Sequence, residues 1–297
     1  MSTTSEAPRW NDLHSTELPG IRSLMAFDDK ILAVTLACEV RLIQGGQLMG
    51  EWKLISDQEK ASALERVRSV SLFPDRSGFF AAAGTSLWKV SFDMEDPVWV
   101  RRMKESFGFL HNSPYAVVAL PNGRLWASTD NGDLGLLEGN GGFLKRRSDN
   151  HSPHHAFLVP GGIAGADGNS ICVWDIESLK RTKTLPQDGH VFNLIAHPRL
   201  PLVAVKVDAS VMTWDVEKGE CLNSFPVAPG LGVFAWHPLA DCIAVGVDQG
   251  VEVVSCEGRV LSKHHDEGMR YLSAAFEPGG EAMYIGCDDG SIRMVRM

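Results

Sequence analysis

Residues Val191–Asp215 read VFNLIAHPRLPLVAVKVDASVMTWD. Three short apolar runs, VFNLIA, LVAVKV and SVMTWD, are separated first by a proline turn and then by a polar one. Runs of four to eight residues rich in β-branched and aromatic side chains, bounded by turn residues, are strands. The same succession returns at Leu231–Ser255, LGVFAWHPLADCIAVGVDQGVEVVS, and from Tyr271 to the C-terminus, YLSAAFEPGGEAMYIGCDDGSIRMVRM. Fainter copies begin at Ser69, Tyr115 and His154, and a seventh, without the proline, begins at Ile21.

The turn anchors of the seven copies are Asp28, Pro74, Pro121, Pro160, Pro198, Pro238 and Pro278, at intervals of 46, 47, 39, 38, 40 and 40 residues. A period near 40 built from short strands is that of four-stranded propeller blades. The expected fold is all-β, a seven-bladed β-propeller of four-stranded antiparallel blades over residues 8–297, behind a flexible stretch at 1–7. The last copy stops after its third strand, SIRMVRM, and Pro8–Thr16 is expected to supply the missing outer strand. Closure of that kind removes a sheet edge that otherwise templates aggregation. One stretch, Asp57–Arg68 (DQEKASALERVR), carries helical periodicity in the insertion between blades one and two.

Two copies close their third strand with Trp-Asp, at Trp174-Asp175 and Trp214-Asp215. The chain thereby resembles the WD-repeat family of β-propellers, and the resemblance runs over essentially its whole length. In that family a buried His–Ser/Thr–Asp–Trp set ties each blade together. Asp208 stands six residues before Trp214, as that pattern asks, but Lys206 occupies the Ser/Thr place. Gly189-His190 lies eight residues before Pro198, where the family places this dipeptide about eleven before, so no blade is assigned the complete set.

Composition narrows the function classes. The chain has 297 residues, 44% hydrophobic and 22% charged, with a net charge of −9. Those proportions are globular and exclude a disordered or collagen-like chain. The acidic balance argues against direct nucleic-acid binding, which needs clustered cations to displace counterions. No apolar run nears the roughly 20 residues that span a bilayer, and MSTTSEAPRW has neither the basic nor the apolar region of a secretory signal. The six cysteines form no CxxC pair, and Cys38, Cys172, Cys242 and Cys287 fall in apolar runs. They read as buried thiols in a reducing compartment, so the expected location is cytoplasmic, away from membranes.

Catalytic signatures are missing from the sequence. It contains no phosphate-cradling loop, no GxSxG elbow and no HExxH helix. His151, His154 and His155, and likewise His264 and His265, cluster without a spacing that sets a metal geometry. His197-Pro198 and His237-Pro238 fill equivalent turns and read as a structural feature of the repeat. The pairs Asp28-Asp29 and Asp288-Asp289 read as turn caps, and the basic runs Arg101-Arg102 and Lys145-Arg146-Arg147 as solvated faces. No cofactor, metal or catalytic residue is assigned.

The resemblance implies that positions six and eight residues before each anchor face the rim of the central channel. They hold Arg22, Arg66, Arg68, Tyr115, His154, His190, Phe192 and Arg270, together with Ser113, Ser152, Leu272 and glycines. In a closed ring Arg270, Arg22, Arg66 and Arg68 would form a basic arc, and Tyr115, His154, His190 and Phe192 an aromatic and imidazole arc. Blade six carries Gly230 and Gly232, which reads as open room. Guanidinium forks suit carboxylate and phosphate, and aromatic side chains anchor interfaces. The expected function is a non-catalytic protein–protein interaction scaffold or assembly subunit that binds an acidic or phosphorylated protein segment. The alternative is an enzyme using the channel, such as a metal-assisted hydrolase or lactonase. Against it, these positions carry arginines, rings and glycines where a metalloenzyme needs converging carboxylates.

Overall fold

The computed structural model describes residues 20–55, 66–102, 113–149, 151–227, 232–247, 250–265 and 269–297. Seven antiparallel sheets follow one another along the chain, each a meander. Blade one holds β1 (Ile21–Phe27), β2 (Lys30–Thr35), β3 (Glu39–Gln44) and β4 (Gln47–Lys53). Blade two holds β5 (Val67–Leu72), β6 (Gly78–Ala83), β7 (Ser86–Ser91) and β8 (Trp99–Arg102). Blade three holds β9 (Pro114–Ala119), β10 (Leu125–Thr129), β11 (Asp133–Leu137) and β12 (Phe143–Ser148). Blade four holds β13 (His155–Val159), β14 (Gly162–Asp167), β15 (Ser170–Trp174) and β16 (Arg181–Pro186). Blade five holds β17 (Val191–Ala196), β18 (Leu202–Val207), β19 (Ser210–Asp215) and β20 (Glu220–Pro226). Blade six holds β21 (Phe234–Trp236), β22 (Cys242–Val247), β23 (Gly250–Ser255) and β24 (Val260–His265). The last sheet has three described strands, β25 (Tyr271–Phe276), β26 (Ala282–Cys287) and β27 (Ile292–Arg296). These are the blades of a seven-bladed β-propeller, and every turn anchor read from the sequence falls between the first and second strand of its blade.

Burial explains the composition of each strand. Second strands are covered on both faces, so β6 (GFFAAA) is buried at all six positions and β18 (LVAVKV) at five of six. Outer strands face solvent, and in β12 (FLKRRS) every residue after Phe143 is exposed. A strand sandwiched between two sheets reads as a continuous apolar run, whereas an outer strand reads as polar.

The strands fall into two compact units, one with blades one, six and seven and the other with blades two to five. Within the second unit, Phe80, Ala82 and Leu87 of blade two pack on Val117, Ala119 and Leu125 of blade three. Blade three then meets blade four through Trp126, Leu134 and Leu136 against Ile163, Cys172 and Trp174. Blade four meets blade five through Ile171 and Val173 against Leu194, Val203 and Val205. Within the first unit, Ala244, Val251 and Val253 of blade six pack on Phe276, Met283 and Ile285 of blade seven. Blade seven meets blade one through Ala275 and Ile292 against Ile21, Ile31 and Ile43. Each buried Val, Leu, Ile, Phe or Met in these layers contributes about 1.5–3 kcal/mol.

The paired His-Pro turns are built alike. His197 Nδ1 accepts the N–H groups of Arg199 and Leu200, both at 3.0 Å. His237 Nδ1 accepts those of Leu239 and Ala240 at 3.1 and 2.9 Å. The imidazole thus closes the turn that the following proline begins, which is the structural role expected. Asp289 plays the same part in a polar turn, where Oδ1 accepts the Ser291 N–H at 2.9 Å and Gly290 takes φ +82°.

Three expectations need comment. Cys38 is buried, but it lies in the turn after β2 with φ +67°, not within a strand. The expected helix at Asp57–Arg68 falls mostly outside the described residues, and its end, Val67-Arg68, is the start of β5. The closing strand expected at Pro8–Thr16 also lies outside them. All six cysteines are free thiols. No helix among the described residues is long and apolar enough to cross a membrane.

Candidate functional site

The first strand of five blades carries a bulge at one repeated place. The register with the second strand slips between Ile21 and Ser23, Val67 and Ser69, Pro114 and Ala116, Val191 and Asn193, and Tyr271 and Ser273. The residues left over are Arg22, Arg68, Tyr115, Phe192 and Leu272, each six positions before its anchor. A bulge sets two residues against one and re-aims the extra side chain out of the ladder. In blade four His154 stands one residue before β13, its N–H on the Ala166 carbonyl at 3.0 Å. In five blades the expected position six residues before the anchor is therefore the place where the strand releases a side chain from pairing.

In the unit of blades two to five, these side chains touch in sequence. The Arg68 guanidinium lies 5.0 Å from the Tyr115 ring centroid. Tyr115 lies 6.1 Å from His154, and the His154 and His190 rings are parallel within 1° at 6.1 Å. His190 meets Phe192 edge-on at 5.1 Å. Five of the expected residues thus form one ladder across four blades, with a cation at one end and a 46%-exposed phenyl ring at the other. Arg66 is exposed one residue before β5.

Polar bonds hold the ladder in place. His154 Nε2 donates to the Val191 carbonyl at 3.1 Å, tying blade four to blade five and fixing the tautomer. Burial pushes the His154 pKa below the ordinary imidazole value; that bond opposes the shift and the neighbouring His190 adds to it. Asp130 of blade three accepts the Ser113 N–H at 2.9 Å through Oδ1. Its Oδ2 lies 3.8 Å from Arg68, and its carbonyl accepts the Ser152 hydroxyl at 2.7 Å. The Arg68 side chain is largely buried, 10% exposed, between this carboxylate and the Tyr115 ring.

Behind the ladder lies a polar cluster that the sequence reading did not assemble. His151 Nδ1 meets the Asp167 carboxylate, and the Arg181 guanidinium meets His151 Nε2. Trp174 Nε1 donates to Asp149 Oδ2 at 2.8 Å, and Arg181 lies 3.9 Å from the same carboxylate. His151, Asp167 and Cys172 offer three ligand atoms within 4.8 Å of one another. The chemistry does not fit a metal ion. Both imidazole nitrogens are engaged, by Asp167 and by Arg181, and Arg181 sets a fixed positive charge against the cluster. The partners lie 16 to 30 residues apart on turns and strands, a separation with no spacing signature.

In the other unit, Arg22 is the bulge residue of β1, and Arg270 is exposed just before β25. The Arg270 carbonyl accepts the Asp288 N–H at 3.0 Å. The open room expected at blade six is corrected at Gly232. A Cβ there would stand 2.4 Å from the Leu272 carbonyl oxygen, and φ is +103°. The glycine admits the neighbouring strand rather than a ligand; Gly230 lies outside the described residues. No protein-family model matches the chain, and no curated protein matches it.

Proposed function

We propose that the chain is a divergent WD-repeat propeller acting as a non-catalytic interaction scaffold or assembly subunit. Its ladder from Arg68 to Phe192 receives an acidic or phosphorylated segment of a partner protein. The observation that carries this reading is the continuity of the ladder, in which five side chains from four blades, three of them bulge residues, touch in succession. Arg68, with Arg66 beside it, supplies fork-shaped donors for carboxylate or phosphate, and Phe192 supplies an apolar anchor. Between them Tyr115 and the two imidazoles make a continuous row of rings, Tyr115 inclined at 59° to His154, along which an extended chain lies. In the other unit Arg22 and Arg270 stand at the same repeat positions and offer the same chemistry.

The family reading is supported by blade four. There His151 and Asp167 meet and Trp174 closes the third strand, although Asp167 stands seven residues before Trp174, not six, and the indole bonds Asp149. Gly165 stands at the Ser/Thr place because a Cβ would already lie 2.9 Å from the Pro153 ring. The missing hydroxyl follows from that close approach.

The test is capture of partners from native extract by wild type and by Arg68→Glu combined with Phe192→Ala. Phe192 is exposed, whereas Arg68 spans blades two and three, so melting curves check that the variant stays folded. The proposal expects a stoichiometric partner that the variant loses; a partner retained equally by both removes the ladder from the function.

A further inference from the structure

The outer strands of blades two and three carry the two basic runs, and the structure joins them. Phe143, at the start of β12, holds the Arg146 guanidinium 3.9 Å from its ring centroid and that of Arg101, from β8, at 4.9 Å. Arg101 also donates to the Gly141 carbonyl at 2.6 Å. Trp99 and Lys89 of blade two both bond the Gly139 carbonyl, at 3.0 and 2.8 Å. The loop leading into β12 is therefore clamped by blade two, and the strand that follows is held rigidly at the rim.

Lys145, Arg146 and Arg147 are exposed and consecutive on β12. Successive side chains of a strand point to opposite faces, so Lys145 and Arg147 share one face and Arg146 takes the other. After a bulge at Leu144, residues Lys145–Ser148 pair regularly with β11. Among the described residues no strand lies on the outer side of β12. Positive charges stand on both faces of that edge, on a chain whose net charge is −9. Lys145 contributes to lowering the Asp175 and Glu177 pKa values, but those carboxylates are already engaged by Ser178 and Arg124.

We propose that the outer edge of β12 is a second docking site, which takes an extended segment of a partner protein bearing an uninterrupted run of acidic residues. Charges on an edge strand prevent pairing with neutral edges. The same charges select an incoming strand of opposite sign, and main-chain bonds to the edge then fix its register. Because cations lie on both faces, acidic residues at consecutive positions all find a partner. A segment alternating acidic and apolar residues satisfies only one face. The exposed Leu144 flanks the site and accepts an apolar residue at the end of the run.

The probe is a fluorescein-labelled octapeptide of glutamate, titrated by anisotropy into the full-length protein at low salt. Controls are an octapeptide of glutamine, an alternating Glu-Val peptide and octaglutamate N-methylated at alternate residues. The expected result is saturable binding of octaglutamate, at least tenfold tighter than the alternating or N-methylated peptide. Measured in the Arg68→Glu, Phe192→Ala background, which removes the ladder as a competing site for acidic peptides, Lys145→Glu with Arg147→Glu should abolish it and Arg147→Lys should retain it. Three results overturn the site: no preference over the glutamine peptide, equal binding of the N-methylated peptide, or binding in that background that survives the β12 reversal.

Discussion

Replacing His237 with alanine should be among the most costly single changes at a turn. The imidazole closes its own turn through two bonds to Nδ1, and Nε2 donates to the Gly280 carbonyl of blade seven at 3.1 Å. Its ring also packs 4.9 Å from Phe276. Three bonds at about 1 kcal/mol each set the loss near 3 kcal/mol, before any cavity is counted. At roughly 2–4 °C per kcal/mol for a domain of this size, the melting midpoint should fall by about 6 °C or more. His237→Asn separates the contributions. An asparagine carboxamide can still accept the turn N–H groups but does not reach Gly280, so it should recover about 2 kcal/mol of that loss. Urea unfolding at pH 7.5 is the assay. A loss below about 1 kcal/mol for His237→Ala, or no recovery in His237→Asn, refutes the reasoning.

Gly280→Ala should act on the same contact. Its φ is +74° and a Cβ would stand 2.4 Å from the His237 ring, so the variant loses stability, and in the double variant with His237→Ala the two losses sum to less than their separate values; urea unfolding of the four proteins checks this. Trp174→Phe removes an indole bond to Asp149 and should cost about 2–3 kcal/mol, whereas at Trp126, equally buried but with no bonding partner for Nε1 among the described residues, Phe should cost less by denaturant midpoint. His154 has a folded pKa below its unfolded value of 6.5, so its contribution is fully present above about pH 6.5 and is lost as pH falls through the folded value, because the unfolded chain binds the extra proton in that window. His154→Gln should flatten that part of the profile when stability is measured at pH 7.5 and 5.0, and an unchanged profile contradicts the assignment.

The blades were legible because each strand keeps its own register of burial. LVAVKV reads as a two-sided strand and FLKRRS as an outer one without any knowledge of neighbours. The His-Pro pairs were legible as turns because they recur at one place in the repeat. What the imidazoles bond was not legible, since Gly280 lies 43 residues beyond His237. Blade six was misread for a related reason. A glycine that leaves room for a ligand and one that admits a neighbouring carbonyl look identical in sequence, and only the Leu272 contact decides between them. The family resemblance implies the ladder positions by their offset from the turn, but not the bulge that frees three of them, because a bulge is a mismatch between two strands. A signal was present nonetheless. The freed residue is polar or aromatic in four of the five bulged strands, immediately after the apolar start of the strand in Ile21-Arg22, Val67-Arg68 and Val191-Phe192.

The central claim, that the ladder reads acidic or phosphorylated segments, meets its most direct test in a peptide array. Purified wild type, the Arg68→Glu with Phe192→Ala variant and the Lys145→Glu with Arg147→Glu variant are each bound to extended peptides bearing phosphoserine, aspartate or alanine beside a common apolar residue. The account predicts that wild type and the β12 variant bind the phosphorylated or acidic series over the alanine series, and that the ladder variant loses this preference while remaining folded. A preference that survives in the ladder variant, or no preference in wild type, contradicts it.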